Sequence, residues 1–144
     1  MTPTLIFPAG AVIAWLLLAV AAGTADNYKV VVHSANPATS LGRKEISALF
    51  LRRSTRWPDG TEVLPVDGPD SPVRESFSKD VHGRKTAAIR SHWLQIIFSG
   101  RGVPPPEKPS DTAVIAYVET HPGAIGYVSA STAASDVKVL KVTP

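Results

Sequence analysis

The chain has 144 residues, no cysteine and a formal net charge of +3. The absence of cysteine excludes disulfides and a thiol-linked lipid anchor, so the fold must rest on packing alone. The positive charge is mild and spread along the chain, and its densest patch, LRRSTRW, is interpreted as a solvated helix end.

The N-terminal segment is almost wholly apolar. Leu5–Gly23 carries no charged side chain, and the small residues Gly-Thr-Ala stand directly before Asp26, as at a signal-peptide cleavage site. We therefore expect a signal peptide over residues 1–25, a single exported domain over residues 26–144 and a periplasmic location, which argues against a nucleic-acid partner. The alternative is an uncleaved membrane anchor, although Pro8 interrupts a run that is barely long enough to span a bilayer.

The first half of the expected domain alternates between strand and helix patterns. Tyr28–Val32 is a β-branched run typical of a buried strand, and a turn-rich connection, SANPATSLG, follows it. Arg43–Leu51 places apolar residues on one helical face, beginning at Ile46. Glu62–Val66 predicts a short strand, and Pro65, which lacks an N–H, indicates an edge or strand-end position.

The second half begins with two helical patterns. The first is Ser71–Val81, with Ser71 as N-cap and Pro72 at the first helical position. The second is Thr86–Phe98, where an apolar stripe runs from Ile89 to Ile97. A proline-rich segment, GRGVPPPEKP, then predicts a stiff surface connection.

The C-terminal part predicts one more helix and two strands. Ser110 caps a helix over Asp111–Thr120, and the strands are Ala124–Val128 and Val137–Val142. Because strands alternate with helices along the whole domain, the expected fold class is an α/β layer structure.

Three segments carry a resemblance to a known family: NPATSLGRKEISALFLRRSTRWPDG, VLPVDGPDSPVRESF and YVETHPGAIGYVS. In this order they resemble phosphate-type periplasmic solute-binding proteins of ABC transporters, and more closely the small single-lobe branch of that superfamily. The resemblance implies a single lobe of a type II periplasmic-binding-protein-like fold, with a mixed sheet of about four to five strands flanked by helices. Full-length members have two lobes around a ligand cleft, and this chain is similar to the second lobe.

The resemblance also implies an anion site at the start of the second predicted helix. Ser71 matches the serine of the family's Ser-Gly-Thr phosphate turn, and Arg74 matches an arginine often found just after it. Val73 stands at the threonine position and keeps only its N–H, while Pro72 removes a backbone donor. Asp67 falls about where the family has a clamping arginine. The predicted ligand-binding residues are therefore Ser71, Val73 and Arg74, for phosphate or another small oxyanion.

Two of these residues also have a purely structural interpretation. Ser71 is explained equally well as a plain helix cap. Arg74 lies in a first helical turn, where a cation opposes the helix dipole, so an internal ion pair with Asp67 or Asp70 is the alternative to ligand binding.

Two hypotheses on function follow. The first is an exported, non-catalytic module with weak oxyanion binding at a helix N-terminus. The second is a ligand-less interaction or sensor-accessory module that meets a membrane transporter, a sensor protein or a second copy of itself. An enzyme is disfavoured because Ser71 has no GxSxG elbow and no evident base. The four histidines show no metal-ligand spacing, and no cofactor is expected.

Overall fold

The computed structural model describes residues 27–144, so the expected signal peptide over residues 1–25 lies outside the described residues. The strands are β1 Tyr28–Val32, β2 Ser40–Gly42, β3 Leu64–Pro65, β4 Ala124–Ser129 and β5 Lys138–Thr143. The helices are α1 Arg43–Phe50, α2 Pro72–Phe77, α3 Thr86–Phe98 and α4 Asp111–Thr120, and a π-helical turn, Ser78–His82, continues α2.

The five strands form one mixed sheet in the order β2-β5-β1-β4-β3. The central strand β1 is antiparallel to both neighbours, so that Val30 lies opposite Tyr127 on one side and Leu140 on the other. The two outer strands are parallel to theirs, β2 to β5 and β3 to β4. The predicted α/β class and the mixed sheet of four to five strands are confirmed.

Helices cover both faces of the sheet, which is why β1 is a continuous apolar run rather than an alternating one. Alternate β1 residues enter two separate cores. Val30 packs on one face with Ile46 of α1 and Phe77 of α2, and Val31 packs on the other face with Val114 of α4.

Two glycines of the PGAIGYV segment allow backbone and helix to approach β4 closely. A Cβ on Gly126 would lie 2.8 Å from Cγ1 of Val114 and 3.0 Å from Cγ1 of Val66. A Cβ on Gly123 would lie 1.9 Å from the carbonyl oxygen of Glu62. The glycines therefore determine how tightly α4 and β3 pack on β4.

Several predicted boundaries change in the structure. β1, α3 and α4 have the predicted bounds, but the predicted strand Glu62–Val66 is reduced to two residues and β2 lies in a stretch predicted to be a connection. The predicted helix Ser71–Val81 is divided between α2 and the π-helical turn. Ile97, expected on the inner stripe of α3, is 44% exposed, because α3 packs on Leu51 mainly through Ile89 and Trp93.

None of the described helices combines the length and the apolar character that a membrane crossing needs.

Candidate functional site

The site predicted from the sequence lies where β3 turns into α2. Ser71 has extended backbone angles, φ −161° and ψ 165°, and its Oγ accepts a hydrogen bond from the backbone N–H of Arg74 at 3.3 Å. Pro72 occupies the first helical position, where the missing N–H costs no helical hydrogen bond. The predicted N-cap is confirmed, and this cap uses one of the amides that would otherwise be free for an anion.

Arg74 turns inward from the first turn of α2 and is only 6% exposed. Its Nη1 lies 2.9 Å from Oε1 of Glu107 and donates to the carbonyl oxygen of Gly68 at 3.3 Å. Its Nη2 lies 3.6 Å from Oδ2 of Asp67. Burial opposes the charged form, but Asp67, Tyr127 and Glu107 outweigh it and raise the pKa of the guanidinium. Arg74 therefore stays charged, and carboxylates of the same chain balance its charge.

Asp67 contacts both Arg74 and Tyr127 of β4. Its Oδ1 accepts a hydrogen bond from the hydroxyl of Tyr127 at 2.9 Å. Burial raises the pKa of the Asp67 carboxyl, and the nearby Arg74 and the Tyr127 hydrogen bond only partly oppose that rise. Burial and the Asp67 charge also raise the pKa of Tyr127. Phe77 stacks on the Tyr127 ring at 3.9 Å between centroids and so fixes the position of the hydroxyl.

Glu107 reaches the site from the proline-rich segment. The backbone of that segment is hydrogen-bonded to Asp67, which follows β3. The Asp67 N–H donates to the carbonyl oxygen of Pro106 at 2.9 Å, and the Lys108 N–H donates to the carbonyl oxygen of Asp67 at 2.8 Å. The Glu107 side chain is 55% exposed, so it contacts the buried guanidinium from the outer side. We refer to Asp67, Arg74, Glu107 and Tyr127 as the Arg74 network.

The structure shows which of the predicted contacts Arg74 and Val73 make. The ion pair of Arg74 with Asp67 is present, whereas Asp70 lies 3.3 Å from Arg90 instead. Val73 is half-buried and packs against the core on the α1–α2 face of the sheet. Ser71, Val73 and Arg74 are thus neighbours at one helix start, but the charge of Arg74 is already paired.

Sequence reasoning missed Glu107 and Tyr127 as parts of this site. Both lie far along the chain from Arg74, and no local pattern connects them. Tyr127 was placed only as part of a predicted strand. The one usable signal was the isolated acidic residue in the PPPEKP stretch, where a rigid backbone holds Glu107 at a constant position.

A cleft of about 250 Å³ opens beside the Arg74 network, between α3 and the proline-rich segment. Its walls are apolar, formed by Ile89, Trp93, Leu94, Ile97 and Pro104. Asp67, Arg74 and Glu107 form its polar end, and Arg90 also borders it. The cleft therefore combines apolar walls with a polar end whose charges are mutually paired.

His82 is the most strongly perturbed histidine and belongs to a different contact. Its Nδ1 lies 2.7 Å from Oγ of Ser47, and burial, followed by the charges of Arg84 and Arg53, lowers its pKa to about 4. A neutral ring bonded to Ser47 is a packing element. Within residues 27–144, no group of three His, Asp or Glu side chains is placed to hold a metal ion.

A family model described as a PBP superfamily domain matches residues 24–143, which is most of the chain. The chain belongs to the PBP superfamily. No curated protein matches this PBP-like domain.

Two solved structures show what this PBP-like domain is similar to. One, from Clostridium perfringens, is assigned as a phosphate ABC transporter substrate-binding protein and has phosphate bound; the identity is 21%, the TM-score is 0.64, and the match covers 81% of this chain and 44% of that one. The other is an ABC-type phosphate transport receptor from Vibrio cholerae, with 20% identity, a TM-score of 0.63, and coverage of 81% and 46%. The PBP-like domain thus has the fold of a single lobe and spans less than half the length of these proteins.

Proposed function

We propose that this PBP-like domain is an exported, non-catalytic interaction module in which the chain's own carboxylates occupy the contacts of Arg74. The observation that carries the proposal is the Arg74 network. Its guanidinium is buried and contacts Glu107 at 2.9 Å and Asp67 at 3.6 Å. In this proposal the domain acts as a ligand-less accessory to a membrane transporter or sensor protein, or to a second copy of itself.

Electrostatics supports an interaction module over a solute-binding one. An external oxyanion at Arg74 must displace the Glu107 carboxylate and then lie close to Asp67. Two like charges about 4 Å apart repel by about 1 kcal/mol in water and by more when partly buried. A single lobe also leaves the anion in contact with water, which competes for its hydrogen bonds.

Export and the absence of catalysis are parts of the same proposal. The apolar segment before Asp26 supports export through a signal peptide to the periplasm. The contacts of His82 support a non-catalytic role, because its ring is bonded to Ser47 and is not available as a base for Ser71.

Weak binding of phosphate or another small oxyanion by Ser71, Val73 and Arg74 is the second candidate function. The observation that favours it is the geometry of Ser71, which accepts the Arg74 N–H and still has its own hydroxyl hydrogen for donation. The likeness in fold to structures assigned to phosphate transport also supports it. Because Arg74 is already paired, we expect such binding to be weak.

Thermal unfolding in the presence of anions separates the two candidates. The exported protein is measured at low ionic strength with phosphate, sulfate, arsenate or molybdate at millimolar concentration. A ligand that binds the native state raises the unfolding temperature by mass action. We expect no rise above that produced by chloride at the same ionic strength.

A matched pair of serine variants serves as the control. Ser71→Ala and Ser110→Ala each remove an N-cap hydroxyl that accepts a backbone N–H, at 3.3 Å and 3.1 Å respectively, but only Ser71 lies at the proposed anion site. Both variants should lose about 1 kcal/mol of stability. An anion-dependent rise that Ser71→Ala abolishes and Ser110→Ala retains would contradict the ligand-less proposal and support oxyanion binding.

Crosslinking in intact cells tests the interaction role directly. We expect the exported protein to give a discrete adduct, either with another protein or with a second copy of itself. A protein that stays monomeric and uncrosslinked counts against an interaction module.

A further inference from the structure

The outer side of α3 and the turn after it expose a cluster of large apolar side chains. Leu94 is 52% exposed, Ile97 44%, Phe98 86% and Val103 66%, and we call these four residues the α3 tip. Of the five large apolar side chains that are exposed in residues 27–144, only Val139 lies elsewhere. Only one stripe of α3 contacts the core, through Ile89 and Trp93, so the apolar side chains of the α3 tip lie outside that contact.

The same part of the chain is cationic. The 20 residues from Arg84 to Val103 contain four basic side chains, Arg84, Lys85, Arg90 and Arg101, and no carboxylate. Arg52 lines a groove together with Arg101 and Val103. The surface around the α3 tip therefore has a positive charge.

The carboxylates on the other side of the cleft lie against arginines other than Arg84 and Arg101. Asp70 lies 3.3 Å from Arg90, and the buried Arg74 contacts both Glu107 at 2.9 Å and Asp67 at 3.6 Å. The charges that this surface offers to a partner are therefore those of Arg84, Lys85 and Arg101. Exposed apolar side chains bordered by unpaired cations are characteristic of protein surfaces that lie in the interface of an anionic bilayer.

We propose that the α3 tip is a docking surface for an anionic phospholipid bilayer. Phe98 and Val103 lie in the boundary between headgroups and acyl chains, and Arg84 and Arg101 contact headgroup phosphates. The α3 axis then lies along the membrane surface, and the sheet remains in water. This inference does not rest on the proposed function, since it concerns other residues and another partner.

A second copy of the chain fits this surface less well. Packing the α3 tip against itself brings two unpaired positive regions together. Four side chains at one end of a helix also provide only a part of the roughly 800 Å² per partner that a stable protein interface buries. A bilayer needs no such area, because it can take up single side chains and supplies the opposite charge.

A fluorescent label tests the insertion at one position. The chain has no cysteine, so Phe98→Cys provides a unique site for an environment-sensitive fluorophore. Val139→Cys is the matched control, since Val139 is 46% exposed and lies on β5. The full chain is mixed with phosphatidylcholine vesicles with or without phosphatidylglycerol. We expect a blue shift at position 98 only with phosphatidylglycerol, and none at position 139. Because the label senses its own surroundings, insertion of another segment does not imitate this result.

Co-sedimentation of the exported protein with the same vesicles tests the contributions of side chains, because the apolar segment Leu5–Gly23 then cannot bind the bilayer. Phe98→Ser should weaken binding about tenfold through the loss of its apolar side chain. Arg101→Gln should weaken it about fivefold, because one arginine near an anionic surface contributes about that factor. Arg56→Gln is the control, since Arg56 is exposed in another turn, where it donates to the Gly60 carbonyl, and should bind as the unchanged protein does.

Three results would overturn the proposal. The first is no shift at position 98 with anionic vesicles. The second is an equal shift at positions 98 and 139. The third is a shift at position 98 that depends on protein concentration or on an added acidic protein but not on lipid, which would assign this surface to a protein partner.

Discussion

Tyr127 lies on β4, next to the central strand, and its hydroxyl helps to stabilise the ionised form of Asp67. Its hydroxyl donates to Asp67 at 2.9 Å and accepts from the backbone N–H of Gly68 at 3.4 Å. A buried carboxylate needs such donors, because burial without partners is costly. The Arg74 network therefore depends on one hydroxyl that the core places and orients.

Removing that hydroxyl should destabilise the protein. Tyr127→Phe leaves Asp67 and Gly68 with one partner fewer each, and we expect a loss of about 1–3 kcal/mol in the free energy of unfolding near pH 7. Urea denaturation measures it. The pKa of Asp67 is already raised in the fold, and Tyr127→Phe should raise that pKa further. Protonation of Asp67 removes the charge that the hydroxyl stabilises. The loss of stability should therefore shrink as the pH falls towards 3.8, the ordinary pKa of aspartate.

Tyr117→Phe provides the control for this change. Tyr117 lies on α4, where its ring stacks on His121 at 4.0 Å between centroids, and Lys108 lies over the same ring. These contacts use the ring, so we expect a change of less than about 0.5 kcal/mol. A Tyr127→Phe protein as stable as Tyr117→Phe would contradict the importance of the Asp67 hydrogen bond.

His82 should make the stability of the protein sensitive to mild acid. Its pKa in the fold is about 4, below the ordinary 6.5, so the fold favours the neutral ring. This contribution is complete above pH 6.5 and is lost as the pH falls from 6.5 to 4, by up to about 3 kcal/mol. Unfolding free energies across this range should fall less steeply in His82→Gln. Equal slopes in His82→Gln and the unchanged protein would contradict this prediction.

At the scale of elements, the periodic segments were predictable and the elements that depend on distant partners were not. β1, α3 and α4 have strong local patterns and clear caps, such as Ser110 of α4. β2 has three residues and exists because it pairs with β5, about a hundred residues away, so no local pattern indicates it. The Arg74 network depends on distant residues in the same way, since the sequence indicated the ion pair with Asp67 but not Glu107 or Tyr127.

Gly126 offers a test of how closely α4 packs on β4. Gly126→Ala places a methyl group 2.8 Å from Val114 and 3.0 Å from Val66, both in the core. Overpacking of this kind typically costs about 1–3 kcal/mol. Gly102→Ala is the control, because its Cβ would lie at an ordinary 3.6 Å from Ile96. Thermal unfolding of the two variants should differ clearly, and equal stability would contradict the close packing.

At the scale of the molecule, stability should be unevenly distributed. The central strands β1 and β4 are buried between two cores, whereas α3 contacts the body through a small cluster of Leu51, Ile89 and Trp93, joined by Ile96. Elements with few buried apolar contacts open at a lower free energy than the whole protein unfolds. We therefore expect α3 amides to exchange with deuterium faster than β1 and β4 amides. Exchange can be measured by mass spectrometry of peptides. Amides of α3 that are as strongly protected from exchange as those of β1 would contradict this prediction.

The two edges of the sheet have a consequence for how this lobe associates with other chains. An unpaired strand edge is a template onto which other chains can add strands and begin to aggregate. Here the outer strands are only two and three residues long, and Pro65 in β3 has no N–H to offer. Neither edge gives an incoming strand a ladder of useful length. We therefore expect this domain to resist polymerisation through its sheet, even at high protein concentration.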